Sequence, residues 1–76
     1  MLKLRPVEAE IVIKALVGIG FQPVRQRGSH LFMKHPDGRS TVIPVHPGEK
    51  LGRGILMEIM SDVRLSKKEF LELLDL

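Results

Sequence analysis

Apolar positions change their spacing twice along this chain. Between Pro6 and Gly20, the residues Val7, Ile11, Ala15, Leu16 and Ile19 recur at helical spacing. They predict an amphipathic helix that opens near Pro6, keeps Glu8 and Glu10 at the positive end of its dipole, and closes on a left-handed Gly20. Gly18 weakens its last turn. From residue 21 the pattern becomes strand-like. Residues 21–26 form a first strand, and Pro23 marks it as an edge strand or one that bends early. Gly28 turns the chain into a second strand over 29–35, and Pro36-Asp37-Gly38 makes a tight hairpin turn. A third, β-branched strand follows over 40–45, with Pro44 near its end.

The helical period then returns. After a loop over 46–50, Leu56, Met60 and Val63, with Ile59 beside them, stripe a helix over 52–63. Ser66-Lys67-Lys68-Glu69 reads as a capping box, flanked by Leu65 and Phe70 as a hydrophobic staple. Phe70, Leu73 and Leu74 carry on the apolar face of that last helix. The order α-β-β-β-α-α predicts an α+β fold: one three-stranded antiparallel sheet with helices on one face, a single domain over 1–76.

Composition narrows the function classes. Seventy-six residues leave no room for a dinucleotide-binding domain, and a core this small supplies only about 3–5 kcal/mol. Without cysteine there is no disulfide framework and no thiolate zinc site. No apolar run approaches the roughly 18 residues of a membrane span, and Glu8 and Glu10 spoil a signal peptide, so a cytoplasmic chain without membrane contact is expected. Charge is uneven. Residues 25–53 hold six Lys or Arg against two acids, whereas residues 54–76 hold three against five. A polyanion would meet the middle block, where all three histidines also lie.

In the second strand, Leu31 and Met33 point one way and His30, Phe32 and Lys34 the other. If the first pair faces the helices, the open face carries a histidine, an aromatic and a lysine in a row, a platform for phosphates and a stacked base. The flipped register, with Phe32 in the core, stays open, since one strand cannot fix its own face. Gly28 and Ser29 precede His30, one allowing close backbone approach and the other adding a hydroxyl. Imidazole exchanges protons near neutral pH, and the cations Arg25, Arg27 and Lys34 favour its neutral, proton-accepting form. His46, at the end of the third strand, is either a proton donor to a leaving oxygen or a hydrogen-bonder of its own loop. His35 abuts the turn on the opposite side and reads as structural. No histidine spacing suits a metal, so neither a metal nor another cofactor is expected.

Taken together, Gly20-Phe21, Arg27-Gly28-Ser29-His30, His35-Pro36-Asp37-Gly38-Arg39, Val42-Ile43-Pro44-Val45-His46 and the helix with Glu69-Phe70-Leu71 resemble the HicA toxin family, also described as the YcfA-type fold. The pieces occur in order along nearly the whole chain. One departure is Gly52-Arg53-Gly54, where relatives more often carry a single glycine and a Thr or Ser cap. The resemblance implies a double-stranded-RNA-binding-domain-like fold and a toxin that cleaves mRNA without a metal; the free toxin is expected to be monomeric. The resemblance also implies that the histidine of Gly-Ser-His, here His30, is required, and that a HicB-type antitoxin silences the toxin by covering that surface. Two other classes remain at this point: a module of the same fold that binds RNA without chemistry, and a protein-interaction domain that uses the same face.

Overall fold

A computed structural model describes residues 3–75. Its elements are β1 (Val7–Glu8), α1 (Ala9–Gly18), β2 (Gln22–Arg27), β3 (His30–Lys34), β4 (Ser40–Pro44), β5 (Lys50–Leu51), α2 (Arg53–Asp62) and α3 (Lys67–Leu73). The antiparallel meander β2-β3-β4 is the sheet expected from the sequence, and β1 and β5 form a separate two-stranded ladder. Buried Met33, Thr41 and Ile43 face the helices, with half-buried Leu31 on the same side.

The first helix begins later than Pro6 suggests. Val7 pairs with Leu51 and both are buried, so Val7 and Glu8 are extended rather than helical. Burying those two side chains joins the entries to α1 and α2, a long-range gain that local spacing does not register. With Val7 outside the helix, Val12 and Leu16 set the buried stripe, flanked by half-buried Ala9, Ile13, Ala15 and Ile19. Ile11, expected on that stripe, is 45% exposed. A similar rotation affects α3, where Phe70, Leu71 and Leu74 are buried and Leu73 only partly so. In α2 the expected stripe holds, with Leu56, Ile59 and Val63 buried and Met60 half-buried. Gly52 is its N-cap and gives no side-chain hydrogen bond.

Two local devices match the sequence closely. At the end of α1, Gly20 N–H donates to Val17 O and Phe21 N–H to Leu16 O, the paired bonds of a Schellman cap, with Gly20 at φ +105°. At the start of α3, Glu69 N–H donates to Ser66 Oγ at 3.1 Å and Ser66 N–H to Glu69 Oε1 at 2.9 Å. Those bonds to Ser66 hold the Glu69 carboxyl below its ordinary value.

The turn after β3 is locked onto both long helices. His35 Nε2 lies 3.0 Å from Ile19 O, and the ring meets Phe21 edge-on at 5.0 Å between centroids. Since a carbonyl only accepts, Nε2 carries a proton here, while Nδ1 lies 3.1 Å from Asp37 N and 3.0 Å from Asp37 Oδ1. Asp37 in turn accepts from Arg39 N–H at 3.0 Å and from Arg39 Nε at 2.8 Å, and the Arg39 backbone bond, foremost, holds its carboxyl below the ordinary value. Arg39 lies over the Phe21 ring at 5.2 Å and donates through Nη1 to Val63 O at 2.6 Å, beyond the end of α2. The structural reading of His35 follows from these contacts. The Gly-Phe and His-Pro-Asp-Gly-Arg segments form one cluster that fixes the sheet against the helices.

Candidate nucleic-acid interface

The meander's pairing decides which side chains share the open face. In β3–β4, Leu31 pairs with Ile43 and Met33 with Thr41 toward the helices, leaving His30 opposite Pro44, Phe32 opposite Val42 and Lys34 opposite Ser40 on the other face. The face of Phe32, open in the sequence, is therefore the one away from the helices. Its ring is half-buried there, while His30 and Lys34 are exposed.

The two arginines reach this face through a β-bulge. The register of β2 against β3 shifts between Pro23 and Arg25, which leaves Val24 as an extra residue. Strict alternation from Gln22 would turn Arg25 and Arg27 toward the helices. The inserted residue resets the alternation, so that Arg25 lies opposite Phe32 and Arg27 opposite His30. The Arg25 guanidinium sits over the Phe32 ring at 5.3 Å. Such a contact holds the cation flat against an aromatic with its outer edge free to bind an anion. Pro23 signalled an early bend, but which residue is inserted depends on partner contacts that β2 alone does not specify.

Gly28 and Ser29 form the two-residue turn between Arg27 and His30. Gly28 has φ +56° and Ser29 does not have a positive φ, as a type II′ turn requires. The turn is braced on both sides. Gln26 Nε2 donates to Gly28 O at 3.1 Å, and Val45 N–H donates to Ser29 O at 2.6 Å. His30 thus starts a strand directly after a fixed turn, on a central strand with a neighbour on each side.

His46 lies two residues beyond Pro44, the β4 partner of His30. It lines a groove of about 430 Å³ with Glu8, Glu10, Ile13, Leu31 and Glu49, between the start of α1 and the loop that follows β4. His30 is not among the residues that line it. The structure therefore gathers His30, Phe32, Lys34, Arg25 and Arg27 into one strip with the Gly28-Ser29 turn at its end, and sets His46 in an acid-rimmed groove. Among the described residues, no three His, Asp or Glu side chains come together as metal donors. No helix among them is long and apolar enough to cross a membrane.

A strip of this kind offers fixed cations for phosphates, a ring for a base and one proton-exchanging group. The family model described as "HicA toxin of bacterial toxin-antitoxin" matches residues 9–65, about three-quarters of the chain. The matched span runs from the first residue of α1 past the end of α2, takes in the whole meander, and stops just before the Ser66 cap. No curated protein matches the chain. With the meander, the Gly-Ser-His turn and the His35 lock all inside the matched span, this chain belongs to the HicA toxin family: it is the toxin of a toxin–antitoxin module and has an antitoxin as its partner.

Proposed function

We propose that the toxin is an endoribonuclease that cleaves mRNA with His30 as general base, needs no metal, and is silenced by a HicB-type antitoxin seated over the same strip. The observation that carries this reading is the alignment of His30, Phe32 and Lys34 on the face away from the helices, with Arg27 and Arg25 opposite the first two. Arg25, Arg27 and Lys34 hold the RNA backbone as fixed charges. The Gly28-Ser29 turn lets a phosphate approach the backbone beside His30. Neutral imidazole removes the proton of a 2′-hydroxyl, the 2′-oxygen attacks the adjacent phosphorus, and the bond to the 5′-oxygen breaks. The products are a 2′,3′-cyclic phosphate and a 5′-hydroxyl, the leaving oxygen taking its proton from the solvent that reaches this exposed strip. His46, two residues beyond the Pro44 that pairs with His30, is the candidate side chain to hand over that proton in place of solvent.

The test is incubation of the purified protein with a defined single-stranded RNA in EDTA, beside His30→Ala. Loss of a general base typically costs about 10²–10⁴ in rate, so the variant should be nearly silent. Because His30 is exposed, the variant should keep the melting temperature of the parent. Cleavage by His30→Ala at the parental rate would exclude the proposed base.

A further inference from the structure

We infer that the open face contains a dedicated subsite for one nucleobase, a groove in which Phe32 is the stacking surface and Val24 and Val42 are the walls. The inference rests on the RNA-cleaving reading above and names which part of the substrate that face holds apart from the reacting phosphate. A groove of about 600 Å³ is lined by Val24, Arg25, Phe32, Lys34, Ser40 and Val42. Val24 is 56% exposed and Val42 36% exposed, so two aliphatic side chains flank the aromatic on a face otherwise given to cations. The bulge supplies the first of these, since Val24 is the inserted residue.

Apolar surface decides what enters. Met33, Thr41 and Asp62 also line this groove, the Asp62 Oδ2 accepting from Thr41 Oγ1 at 2.9 Å on the helix-facing side of β4. Phe32, Val24 and Val42 offer an aromatic base a ring and two aliphatic walls. Arg25 and Lys34, in the same lining, are left to the phosphates on either side of it. Arg25 lies over the Phe32 ring at 5.3 Å and must swing aside for a base to stack there, after which it can cover the edge of that base. Phe32 lies two residues along β3 from His30, about 7 Å away, on the scale of one nucleotide step in an extended strand. The base so held belongs to a nucleotide next to the scissile linkage. A fixed base at that spacing sets which phosphate faces His30, so Phe32 positions the cut as well as contributing affinity.

The experiment uses fluorescein-labelled single-stranded RNA with one abasic nucleotide moved along it, titrated at fixed salt into His30→Ala protein, which leaves the RNA intact. The titration is repeated in the His30→Ala, Phe32→Leu double variant, where leucine keeps the apolar contact and removes the ring. One abasic position should weaken binding to the protein that retains Phe32 by about 5- to 150-fold, the loss of one stacked base, and this penalty should largely vanish with leucine. Val42→Glu should weaken the intact RNA and flatten the same position's penalty. Equal abasic penalties with and without the Phe32→Leu change, in proteins that both bind RNA, would overturn the subsite and leave the ribonuclease reading standing. No RNA binding by either protein would overturn both.

Discussion

Gly18 and Gly20 lie two residues apart at the end of α1, and alanine at each should change stability in opposite directions. Gly18 ends the helix, and an added Cβ meets nothing within 4 Å. Alanine there restricts the unfolded chain and suits the helix, a gain of about 0.4–1 kcal/mol. At Gly20, φ is +105° and an added Cβ would lie 2.7 Å from His35 Nε2 and 3.2 Å from Cδ2. The backbone strain costs about 1–3 kcal/mol. To relieve the clash, His35 must withdraw and give up its 3.0 Å bond to Ile19 O, a further loss of about 1 kcal/mol. The total, about 2–4 kcal/mol, is most of what a core of this size supplies. Urea and thermal unfolding followed by circular dichroism should show Gly18→Ala raising Tm by a few degrees and Gly20→Ala lowering it by more than about 10 °C. Because His35 is the group struck, Gly20→Ala should cost less in a His35→Ala background, a coupling that separates the clash from backbone strain. Gly20→Ala at parental stability, or the same cost with and without His35, would refute the lock.

Other outcomes follow from the charges and caps. Arg27→Glu or Lys34→Glu should weaken RNA binding and reduce the salt slope by about 1 or more, whereas Lys67→Glu and Lys68→Glu on α3 should do little, as read by anisotropy titrations at several salt concentrations. Asp37 is more acidic in the fold than its ordinary 3.8, chiefly through the Arg39 backbone bond, so its contribution is present above about pH 4 and disappears as pH falls through the lowered folded value. Asp37→Asn should therefore lower the urea midpoint at neutral pH and make its decline in acid shallower. Ser66→Ala removes the α3 cap and should cost about 1 kcal/mol in unfolding experiments while RNA affinity stays unchanged.

Much of this architecture is legible in the sequence because its signals are local. The capping box at Ser66, the left-handed glycines and the Pro36-Asp37-Gly38 turn each specify a few dihedrals through the residues themselves, and each forms where expected. What the sequence obscured was long-range. The pairing of Val7 with Leu51 joins residues 44 apart and moves the start of α1, and the phase of its buried stripe moves with it. The bulge at Val24 depends on how β2 settles against β3, so period-two reasoning alone could not bring Arg25 and Arg27 to the side of His30. In the candidate site, His30, Phe32 and Lys34 were readable as neighbours on one strand face, because alternation is a property of the strand itself. The face they would occupy needed the burial of Met33 and Ile43 to decide it. The acid-lined groove around His46 depends on the loop after β4, whose path no local pattern encodes.

Proton abstraction by His30 can act only on a nucleotide that carries a 2′-hydroxyl. The decisive measurement compares cleavage of one defined RNA with that of the same RNA bearing a single 2′-deoxy nucleotide at the cut site, in EDTA, with the product ends analysed. The all-RNA substrate should yield a 2′,3′-cyclic phosphate or its hydrolysis product, and the deoxy substrate should bind with similar affinity yet resist cleavage at that position. Cutting of the deoxy substrate at an undiminished rate would show that His30 does not act by activating that hydroxyl.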